Sequence, residues 1–138
     1  MSEVSIDSLY DEKSSTESKI SAEEAHKDGI NDRITRLKTA NNKLSDVKSS
    51  IKSLKLSYEN HYLDIPGWTG TTDDIFIEKC VTVGLDADAY YNKVDELMDT
   101  VNLKIAELKN ELIGSDNIIS ELRRLCNEIV AQIENALN

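Results

Sequence analysis

Apolar residues recur every three or four positions through two long stretches of the chain, and this spacing predicts amphipathic helices. The more regular stretch covers residues 87–138. Ile113 and Ile118 flank Gly114 and indicate that one helix continues through this glycine. The predicted apolar stripe of this helix consists of Val94, Leu97, Val101, Ile105, Leu108, Leu112, Ser115, Ile119, Leu122, Cys126, Ile129, Ile133 and Ala136.

The second stretch covers residues 30–58 and also has helical spacing. Asn41 occupies one core-type position in it, where it either fixes the register of the helix pair or faces solvent. Residues 2–28 are weaker, because Lys and Thr share the phase of Ile6, Leu9 and Ile20. We expect a helix there that needs a neighbour. The stripe of the stronger part is Ile30, Ile34, Leu37, Leu44, Val47, Ile51, Leu54 and Tyr58.

Residues 61–71 interrupt the helical pattern and contain the chain's single proline, Pro66, with two of its five glycines. They predict a turn between a first arm at 1–60, weak before 28, and the later helices. A short helix is expected at 72–83, then a break at Val81–Leu85 around Gly84, then a long second arm at 86–137. Arms of similar length joined by a short connection pack antiparallel. The sequence therefore predicts an all-α, single-domain, long antiparallel helical hairpin resembling a coiled coil.

The two arms are unequal where the weak segment meets the end of the chain. In an antiparallel hairpin, residues 2–28 lie beside residues 112–137, yet the former offer few apolar side chains. A two-helix hairpin would then leave apolar surface in water, which favours recruitment of another helix. The apolar stripe of residues 112–137 is therefore the predicted partner-binding surface. Its residues are Leu112, Ile119, Leu122, Ile129 and Ile133.

Charge restricts the class of partner. The formal net charge is −10, which disfavours nucleic acid and anionic membranes as ligands. Residues 31–60 hold seven Lys/Arg against three Asp/Glu, whereas residues 91–138 hold five against nine. This split either reflects two solvated faces or sets the pairing of the arms. Neither an N-terminal signal peptide nor a membrane span is apparent, so we expect a cytoplasmic protein or export by another route.

Candidate chemistry is sparse. His26 and His61 have no second ligand at metal spacing, and no phosphate loop or nucleophile motif occurs. Cys80 and Cys126 lie outside any zinc pattern, and Cys126 falls on the apolar stripe. We therefore expect no catalytic residue, no metal and no cofactor.

Trp68-Thr69-Gly70 lies at the predicted turn. Such a Trp can simply close the end of a helix pair. The run of Trp68, Gly70, Phe76, Ala89-Tyr90 and the heptad-like Val94–Leu112 resembles the YwqH-like small helical proteins. These are similar in architecture to the WXG proteins of the Gram-positive type VII secretion system.

The resemblance implies a non-enzymatic targeting factor or chaperone that binds the helical N-terminal domain of an LXG toxin and promotes its export. It implies further contacts with a second small helical protein and the secretion ATPase. Trp68, Gly70 and Phe76 would form the turn or recognition motif. Tyr91 and Asp95 match the Tyr-x-x-x-Asp/Glu pattern of the export signal, although they precede its usual C-terminal place and also suit a surface helical pair. The chain is thus either co-secreted or retained in the cytoplasm. The alternative function is a self-assembling structural coiled coil, either spacer or scaffold.

Overall fold

A computed structural model describes residues 5–62 and 71–138, with side chains given for 5–57, 75 and 77–138. Two helices, α1 (Ile6–Tyr62) and α2 (Thr71–Leu137), account for nearly all of these residues. They pack against each other as antiparallel partners, which confirms the all-α helical hairpin. Neither helix contains, in the described residues, a segment with the length and hydropathy needed to cross a membrane.

The helices meet along an interhelical seam with a strict seven-residue repeat, whose inward positions are the heptad positions a and d. On α1 the a positions include Asn41 and Lys48, and the d positions include Leu44 and Ile51. On α2 they include Tyr91 and Met98 at a, with Val94 and Val101 at d. Every a and d residue from 6 to 55 and from 77 to 133 is buried or half-buried.

Three predicted stripe residues lie outside this seam. Val47, Leu54 and Leu97 are exposed, and the seam residues beside them are Lys48, Lys55 and Met98. The prediction was wrong at these positions because it assigned every seam position to an apolar residue, whereas Lys48 and Lys55 lie in the seam. The aliphatic stem of a lysine can lie along a seam while its ammonium group stays in water.

α2 is continuous through Gly84, so the predicted short helix at 72–83 with a break after it was also wrong. One glycine within a helix costs only about 1 kcal/mol relative to alanine, which packing along a long seam offsets. The hydroxyl of the β-branched Thr82 donates to the Glu78 carbonyl at 3.1 Å, one turn earlier in the same helix. The predicted continuity through Gly114 is confirmed.

The helices form two compact units, and each contains part of α1 and part of α2. Unit 1 comprises Met1–Arg36 with Ile105–Asn138, and unit 2 comprises Leu37–Lys104. Unit 1 holds eight of the ten buried apolar side chains among the described residues. They are Leu9, Ile30, Ile34, Ile105, Leu108, Ile119, Ile129 and Ile133. Cys80 and Val94 are the buried apolar side chains of unit 2, so unit 2 has the less covered core.

Candidate partner-binding surfaces

The predicted turn motif falls largely outside the described structure. Trp68 and Gly70 lie outside the described residues, and Phe76 belongs to α2 but its side chain is not described. The role predicted for these three residues stays a prediction.

The predicted partner-binding stripe is covered by the chain itself. Ile119, Ile129 and Ile133 are buried within unit 1, while Leu112 and Leu122 are half-buried. A partner therefore cannot reach the three buried isoleucines while unit 1 is intact, whereas Ile118, Leu125 and Leu137 of the same stretch are exposed.

Polar residues of α1 explain how so few apolar side chains cover this stripe. Thr16 is buried, with its hydroxyl donating to the Glu12 carbonyl at 2.8 Å. The buried Ser115 hydroxyl donates to Glu23 at 2.7 Å across the seam. Hydrogen-bonded polar groups of this kind can be buried without a large desolvation cost, so the weak segment packs as a regular helix from Ile6 onward.

Charged side chains also join the two helices of unit 1. Lys27 lies 2.6 Å from Asp116, and Arg123 donates to Glu24 at 2.8 Å. These ion pairs are partly exposed, so each contributes little energy and mainly favours one register.

The predicted export-motif residues Tyr91 and Asp95 both contact one lysine of α1. Lys48 forms an ion pair with Asp95, and its ammonium lies 4.7 Å from the centroid of the Tyr91 ring. The hydrogen bond to Asp95 is the main reason that the pKa of Lys48 is raised above its ordinary value. Tyr91 is half-buried at a seam position. In unit 2, therefore, this pair contributes to holding α1 against α2.

One side of the unit 2 seam is polar. Its members are a residues of α1 and e residues of α2, spaced seven apart on both helices. Asn41 donates to the Asn102 side-chain oxygen at 2.8 Å, which resolves its predicted role in favour of a contact between the helices. We call this side the polar edge; its partners are Lys55 with Asp88, Lys48 with Asp95, and Asn41 with Asn102.

The opposite side of the same seam is apolar. Heptad position g lies next to d, on the side away from a and e. In unit 2 the described g residues are aliphatic or aromatic except Lys104, where the unit ends. Leu54 and Tyr90 are each 60% exposed, and Leu97 is 50% exposed. We call this side the apolar edge; it consists of Ala40, Val47 and Leu54 from α1 with Val83, Tyr90 and Leu97 from α2.

Sequence reasoning missed the apolar edge, although a signal was present. Val47 and Leu54 are seven residues apart, as are Val83, Tyr90 and Leu97. Seam residues follow one another at alternating steps of three and four. Residues that recur only every seven positions beside such an alternation occupy a flanking heptad position rather than the seam. Lys48 and Lys55 belong to that alternation of three and four. A search for apolar residues passes over them because they are charged.

The chain offers few groups for chemistry. Within residues 5–62 and 71–138, no three His, Cys, Asp or Glu side chains lie close enough to hold a metal ion. Cys80 and Cys126 are free thiols, and Cys126 occupies a half-buried seam position, as predicted.

Comparison with known proteins gives one match. The family model described as YwqH-like matches residues 4–134, which is nearly the whole chain. No curated protein and no solved structure matches the sequence.

Proposed function

Because the chain belongs to the YwqH-like family, we propose that it is a non-enzymatic targeting factor or chaperone for an LXG toxin. In this proposal it binds the helical N-terminal domain of the toxin and promotes its export by type VII secretion. The observation that carries the proposal is the family match over residues 4–134, combined with a hairpin that leaves apolar surface exposed in unit 2.

Helix packing supplies a physical reason for such a role. A long helical domain that cannot cover its own apolar stripe is prone to aggregation, and a second pair of helices can cover it. Removing apolar surface from water contributes about 25 cal/mol per Å². The exposed leucines, valines and tyrosine of unit 2 provide surface of this kind, and binding needs no catalytic group.

The other proposed partners are a second small helical protein and the secretion ATPase. Tyr91 and Asp95 are the residues proposed to act as an export signal. Both side chains contact Lys48 in unit 2. An ATPase that bound Tyr91 and Asp95 would therefore have to displace this lysine from them. Alternatively, the complex is exported on the toxin's own signal. In the first case the protein is co-secreted, and in the second it can remain in the cytoplasm.

The direct test is co-expression with a full-length LXG toxin from the same genome, chosen where its gene adjoins that of this chain and carrying an inactivating substitution in its toxic domain. We expect the two proteins to co-purify as a complex of defined mass, and deletion of this chain to reduce toxin export. A toxin that is stable and exported alone, and that never binds this protein, would refute the proposal.

A self-assembling coiled coil is the second candidate, and the uncharged character of the apolar edge favours it. The same edge could join two copies of this chain, just as it could join one copy to a toxin. Light scattering of the purified protein separates the candidates, because a regular homo-oligomer that ignores the toxin supports only the second.

A further inference from the structure

We infer that the apolar edge of unit 2 binds one amphipathic helix of a partner protein. The inference rests on the proposed function and specifies where on this chain the toxin binds. The surface comprises g residues of both helices together with the half-buried d residues beside them.

The polar edge is a poor candidate for the same contact. Lys48, Asp95, Asn41 and Asn102 already bond to one another across the seam. A helix that packed there would have to desolvate or replace these paired groups, at a cost that an apolar contact would not recover. The two sides of unit 2 therefore differ in what they can bind.

A helix that packs on the apolar edge does not have to desolvate or replace paired polar groups. In a chain with a net charge of −10, the six residues that form it carry no charge. The corresponding g residues of α1 in unit 1 are polar or charged, namely Glu12, Lys19, His26 and Arg33. On α2 of unit 1 the g residues include Ile118 and Leu125, so what distinguishes unit 2 is that both helices contribute uncharged g residues.

The core beneath the apolar edge is incompletely covered. The d residues Leu44, Ile51 and Val101 are half-buried rather than buried. A helix lying along the g residues would cover these d residues as well, since the two positions are adjacent on each helix. Binding would complete the unit 2 core in the way that a third helix completes a bundle.

Charge around the edge specifies the chemistry of the bound helix. Residues 75–104 of α2 hold six acidic and three basic residues. At the c positions that border the edge, however, lysine predominates, because α1 presents Lys43 and α2 presents Lys79, Asp86 and Lys93. The matching helix therefore has an uncharged stripe with three-four spacing and a surplus of Asp/Glu on its flank beside α2. A second copy that docked by its own apolar edge fits less well, because a two-fold contact would place these same lysines against each other.

The test compares two double variants in titrations with the inactivated full-length toxin. Leu54→Glu/Leu97→Glu places one charge from each helix on the apolar edge. The matched control, Leu56→Glu/Leu103→Glu, makes the same change at two equally exposed leucines of unit 2 that lie off this edge. Both doubles should keep the wild-type helical circular dichroism, because all four side chains are exposed.

We expect the edge variant to weaken toxin binding by about 100-fold or more and the control by less than about threefold. Wild-type affinity in the edge variant, or an equal loss in the control, overturns the inference while the proposed function stands. A wild-type chain that does not bind the toxin overturns both. If the edge variant instead dissociates a homodimer and binds the toxin normally, the edge belongs to a second copy, and the inference is also overturned.

Discussion

Gly29 and Gly114 lie in the interiors of α1 and α2, and replacing either with alanine is expected to stabilise the protein. Both are exposed, and a Cβ atom built at either position meets nothing within 4 Å. Neither glycine has the left-handed backbone that a side chain would strain. The packing of the chain itself therefore gives no reason for glycine at these positions.

The magnitude follows from helix propensity alone. Glycine is about 0.8–1.0 kcal/mol less favourable than alanine within a helix, partly because it has more freedom to lose on folding. Each substitution should therefore raise the free energy of unfolding by about 1 kcal/mol. For a chain of this size, that corresponds to a rise in Tm of roughly 3–4 °C. The two changes share no contact partner and should add.

Urea unfolding followed by circular dichroism at a helical wavelength measures this effect. Ala22→Gly is the matched control, because Ala22 is exposed on α1 seven residues before Gly29. It should lose about the stability that Gly29→Ala gains. If Ala22→Gly destabilises as expected but Gly29→Ala or Gly114→Ala also destabilises, the helix at that glycine is not regular and open, and the reasoning fails.

Three further changes test the seam. Leu108→Ala should cost about 2–5 kcal/mol, since Leu108 is fully buried, whereas Leu103→Ala at an exposed site should change the urea midpoint little; equal effects would contradict the assigned core. Asn41→Leu should raise the free energy of unfolding by about 1 kcal/mol, because it removes a buried side-chain oxygen that has no hydrogen-bond partner among the described residues; a loss of stability would contradict this. Asp95 raises the pKa of Lys48 above 10.5, so their pairing is fully present below that pH and is lost as the pH rises through the higher folded-state value. The difference in urea midpoint between the wild type and Asp95→Asn should therefore shrink as the pH rises above 10.5, and a constant difference would count against the ion pair.

The fold was readable from the sequence because its main signal is periodic. Ile105, Leu108, Ile119 and Ile129 repeat at the helical interval, and every one of them is buried. The error at Gly84 arose from treating local propensity as decisive. A single glycine is a small penalty in a helix of 67 residues whose seam continues on both sides.

The candidate site was harder to predict because it depends on which polar side chains enter the seam. Thr16 and Lys48 occupy inward positions through their aliphatic atoms, which hydrophobicity alone does not reveal. Once they are placed, the stripe around Ile119 is covered, and Leu54 shifts outward to the apolar edge. The seam of unit 2 thus differs from the predicted stripe by one residue at Val47, Leu54 and Leu97, whereas the stripe at Ile119 keeps its predicted phase.

The cluster of Leu9 with Ile129 and Ile133 has a consequence for how the protein is made. These side chains come from opposite ends of the sequence, so Leu9 can reach its partners only after residue 133 has left the ribosome. Contacts of unit 2 such as Lys55 with Asp88 span 33 residues and can form earlier in synthesis. Until residues 129–133 have been synthesised, the beginning of α1 therefore lacks the side chains that cover Leu9. The cluster that Leu9 forms with Ile129 and Ile133 is therefore completed after the contacts of unit 2.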